Sequence, residues 1–108
     1  MREPTYFILA ALQDGPLHGY GIIKRTQALS EGRLTLAAGT LYGALDRLAE
    51  TGLVVAGPHY AEGGRPRRDY ELTDAGAAAL VAEAMRLAQA ACAVRVPLAR
   101  GRAIEVGR

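Results

Sequence analysis

Three arginines fall within four positions, Arg65, Arg67 and Arg68, in the run Gly64-Arg65-Pro66-Arg67-Arg68. A guanidinium is a planar fork of N–H donors that matches phosphate oxygens and keeps its charge at any physiological pH. A second set is small and hydroxylic: Gly39, Thr40, Tyr42 and Gly43, with Arg47 one turn further on. Hydroxyls donate to phosphate oxygens, and bare glycines allow close approach to another surface. Tyr42 fits either a phosphate contact or half-buried packing. Lys24 and Arg25 are open between backbone contact and plain surface. The chain carries two histidines, His18 and His59, and one cysteine, Cys92, which make no metal-ligand set. No nucleophile–base pair or carboxylate pair is visible, and Gly19 and Gly21 precede no Lys-Ser/Thr phosphate loop. No catalysis, metal or cofactor is expected. His18 reads as packing or a local cap, and Cys92 as a small buried helix residue.

The chain has 108 residues, 50% hydrophobic and 22% charged, the balance of one soluble domain. No apolar run approaches the roughly 18 residues of a membrane span. Residues 4–12 are too short for a secretory signal, and a single cysteine suits a reducing cytoplasm. A core this small is modest, and dimerisation would help to stabilise it. The formal charge of +2 is unevenly placed. Residues 1–85 carry eight basic side chains against ten acids, whereas residues 86–108 carry five arginines against Glu105. The body is therefore slightly acidic, and any case for a polyanionic partner must rest on local placement.

The elements that must position these groups follow from periodicity and turn chemistry. Residues 5–13 predict a short buried helix ended by Asp14-Gly15-Pro16. Residues 18–29 predict a second, with Tyr20, Ile23 and Gln27 on one face and Ile22 alongside. Residues 30–33 form a linker, and Leu34-Thr35-Leu36 a very short extended piece. Residues 39–51 predict a third helix, stopped at Gly52, with Leu41, Leu45 and Leu48 as its buried stripe. Gly39, Thr40, Gly43 and Arg47 point away from that stripe. Residues 53–56 and Tyr70-Glu71-Leu72 read as two strands of a hairpin. The Gly- and Pro-rich residues 57–66 between them read as a flexible loop with a mobile basic tip. Thr73 is placed to cap a last helix, residues 74–94, whose one face is Leu80, Ala84, Leu87, Ala88 and Ala91. That face fits an intramolecular core, a dimer face or a pocket wall. Because three helices already close a core, packing on a partner subunit is expected.

Three compact helices followed by a hairpin are the order of a winged helix-turn-helix, in a fold that is mainly α with a small β-hairpin. A helix fits the major groove, where base edges are read, and a basic hairpin reaches the neighbouring backbone. The expected DNA-binding residues are Lys24, Arg25, Gly39, Thr40, Tyr42, Gly43, Arg47, Arg65, Arg67 and Arg68.

The sequence resembles the PadR family of bacterial transcriptional regulators. The resemblance is carried by Ile8-Leu9-Ala10-Ala11-Leu12, Gly15-Pro16-Leu17-His18-Gly19-Tyr20, Gly39-Thr40-Leu41-Tyr42, Leu45 through Leu48, Gly52-Leu53, Gly64-Arg65-Pro66-Arg67-Arg68, and Tyr70-Glu71-Leu72-Thr73 with Gly76. It covers roughly residues 5–80. It implies a homodimeric repressor on a palindromic operator of double-stranded DNA, released by a small-molecule effector, with the last helix supplying much of the dimer contact. The family usually has Pro at Gly43 and often Ser at Ala38, so the third helix lacks a side-chain cap. With one helix after the wing, the chain resembles the short-tailed branch.

The implied organisation is a winged helix-turn-helix at 1–73, a C-terminal dimerisation helix at 74–96 and a flexible tail at 97–108. Leu80, Ala84, Leu87, Ala88 and Ala91 are the expected dimer interface. The acidic body supports a second reading, a winged-helix protein-interaction module without specific DNA binding.

Overall fold

A computed structural model describes residues 1–97 and 103–104. The first helix, α1 (Glu3–Ala11), has proline in its first turn, where a missing N–H is tolerated, and buries Ile8, Leu9 and Ala11. The turn after it carries Gly15 at φ 140° and leads into β1 (Leu17–His18). His18 ends that strand and caps α2 (Gly19–Leu29): its Nδ1 accepts the Gly21 N–H at 3.1 Å.

The buried stripe of α2 is Gly19, Ile22 and Thr26, continued by Ser30, and the face shared by Tyr20, Ile23 and Gln27 lies beside it. Tyr20 is 55% exposed. The rotation is set from outside the helix. β1 pairs with a later strand and fixes where α2 starts, and Gly19 then offers its bare Cα to the ring of Tyr42. Thr26 can be buried because its hydroxyl donates to the Ile23 carbonyl at 2.9 Å.

Residues 34–36 join no ladder among the described residues. Leu36 is buried instead, and the Leu34 N–H donates to the Ser30 hydroxyl at 3.0 Å. The third helix, α3 (Ala38–Glu50), buries Leu41, Ala44, Leu45 and Leu48, as its periodicity predicts. Gly52, at φ 78°, follows its end, and the Leu53 N–H donates back to the Leu48 carbonyl at 2.9 Å. This is the bond pattern that closes a helix on a left-handed glycine.

The expected flexible loop at 57–66 is instead mostly ladder. β2 (Val54–Glu62) and β3 (Arg65–Leu72) pair from Val54–Leu72 out to Glu62–Arg65. Only Gly63 and Gly64 form the turn, with φ of 57° and 78°. Two positive-φ residues make the turn whose twist suits a two-residue hairpin. The interruption near Gly57-Pro58 is a register shift between Ala56 and His59, that is, a bulge within the strand. The sheet order is β1-β3-β2, all antiparallel.

Thr73 caps α4 (Asp74–Ala91): its hydroxyl oxygen accepts the Gly76 N–H at 3.0 Å while the hydroxyl donates to the Gly52 carbonyl at 2.6 Å. Beyond it, β4 (Val96–Pro97) pairs with β5 (Ala103–Ile104). The rest of the expected flexible tail lies outside the described residues.

One core joins these pieces, with Ile8, Leu9, Ile22, Leu41 and Leu45 fully buried and Leu12, Leu48, Val54, Tyr70 and Leu80 nearly so. The fold is a winged helix-turn-helix with α4 laid against α1.

Candidate nucleic-acid interface

Burying its leucine stripe leaves α3 with Gly39, Thr40, Tyr42 and Arg47 exposed and Gly43 half-buried. The two glycines are informative because nothing in this chain demands them. A Cβ at Gly39 would meet open space, and one at Gly43 would meet only the tip of Arg47, at 3.6 Å. Gly43, inside the helix, nonetheless costs up to about 1 kcal/mol against alanine, while Gly39 lies in the first turn. Gly19 and Gly76 differ: a Cβ at Gly19 would collide with the Tyr42 hydroxyl and ring, and one at Gly76 with the Leu53 carbonyl. Those two are fixed by the fold. Gly39 and Gly43 are low spots on an outward surface. The N-cap of α3 is Ala37, one residue before the expected Ala38, and it too makes no side-chain cap bond, so the first-turn N–H groups lack that partner.

The arginine cluster lies along β3 rather than on a mobile tip. Arg65 is exposed beside the turn, and Arg67 and Arg68 are half-buried. Arg68 serves the wing itself, because its Nε donates to the Gly57 carbonyl at 2.7 Å and ties down the bulge of the facing strand. Arg67 leans over the Tyr20 ring, 5.9 Å from guanidinium carbon to ring centre, and Lys24 approaches the same ring at 5.5 Å. Tyr20 is thus an aromatic post with two cations, joining α2 to the wing. Arg25 is paired with Asp14 at 2.7 Å, both partly exposed.

Tyr42 is 45% exposed and sits on Gly19, its ring 6.5 Å from that of Tyr70. It packs and is accessible together. Burial pushes the Tyr70 phenol up from its ordinary value. On the wing, the Tyr60 hydroxyl donates to Asp69 at 2.7 Å, and that bond holds the phenol up to about 12. Tyr60 therefore stays neutral and engages the Asp69 carboxylate, beside Arg68 on β3.

The sequence places the α3 residues and the wing arginines on neighbouring elements, and the structure brings α2, α3 and β3 together around Tyr42. Sequence reasoning does not single out Tyr20, His59 or Tyr70 as site residues. Their roles depend on the β1–β3 pairing, which no local pattern announces.

On α4, Leu80 belongs to the chain's own core at 7% exposed, because α4 lies on α1. Ala84, Ala88 and Ala91 are half-buried along the helix, and Leu87 is 41% exposed. The large apolar groups left outside are Val81 at 58% and Met85 at 67%, on a neighbouring stripe. Glu83 is buried on the side of α4 that faces the chain's first residue. It receives two N–H bonds from Arg86, at 3.0 and 2.6 Å, and lies 3.4 Å from the Met1 amine. Arg86, and then the amine, hold its carboxyl down to about 2, against the cost of burial. Cys92, expected to be buried, is exposed just after the helix.

An outward helix backed by a second helix and flanked by an arginine-bearing hairpin defines the class as a winged-helix regulator. Residues 8–82 match the model of the transcriptional regulator PadR-like family, and the chain belongs to that family. It is similar to a transcriptional regulator of Mycobacterium tuberculosis, 38% identical over 84 residues, covering 78% of this chain and 75% of that protein. It also matches an uncharacterized 37.1 kDa protein in transposon Tn4556 of Streptomyces fradiae, 44% identical over 88 residues. That match covers 82% of this chain but only 24% of the Streptomyces protein. Among solved structures, Bacillus subtilis PadR in complex with operator DNA superposes with a TM-score of 0.66 at 25% identity, covering 76% of this chain and 46% of that one.

Proposed function

We propose that this chain is a sequence-specific DNA-binding repressor that grips a palindromic operator as a homodimer. The observation that carries the reading is the surface of α3. Gly43 is costly to the helix, neither it nor Gly39 is explained by packing within the chain, and both sit beside Thr40, Arg47 and the helix start without a side-chain cap. That is what close approach to base edges and phosphates requires. Arg65, Arg67 and Arg68 then hold the flanking backbone, with Lys24 and Arg25 at the edge. The similarity to Bacillus subtilis PadR, solved in complex with operator DNA, supports DNA as the partner.

The functional units are the winged helix at 1–73 and a dimerisation segment at 74–96 whose helical part is α4, ending at Ala91 rather than running through to 96, acting in the cytoplasm. Ala84, Leu87, Ala88 and Ala91 form the dimer face with Val81 and Met85, while Leu80 backs it from the core. Two-fold symmetry sets the recognition helices about 34–36 Å apart, in successive major grooves. A cavity of about 280 Å³ between α1 and α4, walled by Tyr6, Phe7, Glu83 and Leu87, is the place for a small-molecule effector to loosen that spacing.

The test is equilibrium binding to DNA from upstream of the chain's own gene, against a scrambled duplex at physiological salt. A repressor binds the former far more tightly, and equal binding rejects the reading.

A further inference from the structure

Between the start of α2, the side of α3 and β3 lies a cavity of about 310 Å³ whose wall is formed by His18, Tyr42, His59, Arg67, Arg68 and Tyr70. We propose that this cavity is an oxyanion site that takes one phosphate group, and that its phosphate is a linkage of the DNA backbone flanking the groove that α3 enters. The inference rests on the DNA-binding reading for its source of phosphate, but its chemistry stands on the cavity alone.

The wall is rich in donors and contains no carboxylate. Arg67 Nε is buried with no hydrogen-bond partner among the described residues. An N–H of a charged group in that condition is costly to leave unmade, and an anion in the cavity supplies the missing acceptor. Arg68 spends only its Nε on the Gly57 carbonyl, which leaves the two terminal nitrogens of its fork uncommitted to that bond. His18 accepts the Gly21 N–H at Nδ1. The proton of its neutral ring therefore sits on Nε2, making that nitrogen a donor. Tyr42 adds a hydroxyl on a ring seated against Gly19. Of the acids nearby, Asp69 is engaged by the Tyr60 hydroxyl, and Asp46 bears on Tyr70 from α3 without lining the cavity. A dense set of N–H and O–H groups around a cationic fork, with no carboxylate in the wall, is the recognition chemistry of phosphate.

The location explains Gly19. Any side chain there would push the Tyr42 hydroxyl out of place, so the glycine preserves the wall of the site as well as the packing of two helices.

The experiment uses an operator duplex selected from a random pool by the full chain, rebuilt with single methylphosphonate linkages stepped along each strand. In the wild type, one linkage per half-site should cost about tenfold in affinity, the size of one charge-assisted contact. That penalty should vanish in Arg67→Gln and in Tyr42→Phe, and persist in Arg65→Gln, which lies outside the cavity. Tyr42→Phe keeps the ring packing, and unchanged melting of each variant excludes misfolding. The parallel arm titrates inorganic phosphate and follows the imidazole resonances of His18 and His59 in wild type and Arg67→Gln. Penalties that are the same in wild type and Arg67→Gln at every linkage, with no phosphate-induced shift, overturn the proposal. Equal penalties with a shift lost in Arg67→Gln overturn the backbone source and uphold a site for free phosphate. Failure of the wild type to bind any duplex, with that shift present, removes the DNA reading and leaves the oxyanion site standing.

Discussion

Substituting Gly76 by alanine isolates the joint by which α4 is held to the winged helix. Gly76 lies in the first turn of α4, and its backbone is one that alanine can adopt. The obstacle is space. An added Cβ would overlap the Leu53 carbonyl oxygen and lie 2.9 Å from its carbon and 3.1 Å from a methyl of Leu72. A backbone carbonyl at a strand entrance cannot swing aside as a side-chain tip can, so α4 must back away. Three bonds hold it there: the Thr73 N–H to the Leu53 carbonyl at 3.2 Å, the Thr73 hydroxyl to the Gly52 carbonyl at 2.6 Å, and the Gly76 N–H to the Thr73 hydroxyl oxygen at 3.0 Å. Losing a helix cap costs about 1 kcal/mol, and each further hydrogen bond about as much. The expected loss is about 2–4 kcal/mol, or roughly 8–30 °C in Tm at about 4–8 °C per kcal/mol for a domain of this size. Circular dichroism melting at fixed protein concentration reads it directly. Gly39→Ala, where a Cβ meets open space, is the control and should melt at or slightly above the wild type. If Gly76→Ala melts within about 2 °C of the wild type, roughly a quarter of the smallest expected shift, the reasoning about this joint is wrong.

Glu83 is held to about 2, below the ordinary 4.5, so its contribution to stability is present above that ordinary value and is lost as pH falls toward 2. Glu83→Gln should melt below the wild type at neutral pH, with the gap closing between pH 4.5 and 2; a gap constant across that range contradicts the assignment. Met85→Asp puts charge on the exposed apolar stripe of α4 and should shift sedimentation from dimer to monomer without lowering helical content; an unaltered dimer would move the interface elsewhere. Gly43→Leu should leave folding intact, since only the tip of Arg47 lies within 4 Å, yet abolish tight operator binding in a gel shift.

The helices of the winged domain are legible because their signals are local. The spacing of Leu41, Leu45 and Leu48, the glycine at 52 and the cap at Thr73 each act within a few residues. The wing is misjudged from sequence because Gly57, Pro58, Gly63 and Gly64 look alike there and serve two purposes. One pair makes a bulge inside a strand and the other makes the turn. Only cross-strand register separates them, and register is a property of two segments. The buried face of α2 is not legible for the same reason: β1 pairs with β3 from far along the chain and sets the rotation of α2. Of the candidate site, residue types and elements are legible. The contact of Arg67 with Tyr20, the tie from Arg68 to Gly57 and the cavity around Tyr42 are not, because each spans separate elements. On α4, periodicity finds an apolar face. It cannot tell that Leu80 is consumed by the chain's own core while Val81 and Met85 stay outside.

The central claim is a division of labour, in which α3 reads sequence and the wing holds the backbone. It is tested most directly by the ratio of operator to mixed-sequence affinity, measured across a salt series for the wild type, Thr40→Ala and Arg67→Ala. Thr40→Ala should weaken operator binding and lower the ratio while leaving mixed-sequence binding near the wild-type value. Arg67→Ala should weaken both duplexes alike and reduce the salt slope by about 1 per subunit. If the two substitutions reduce both affinities in the same proportion, α3 is not the reader and the account fails.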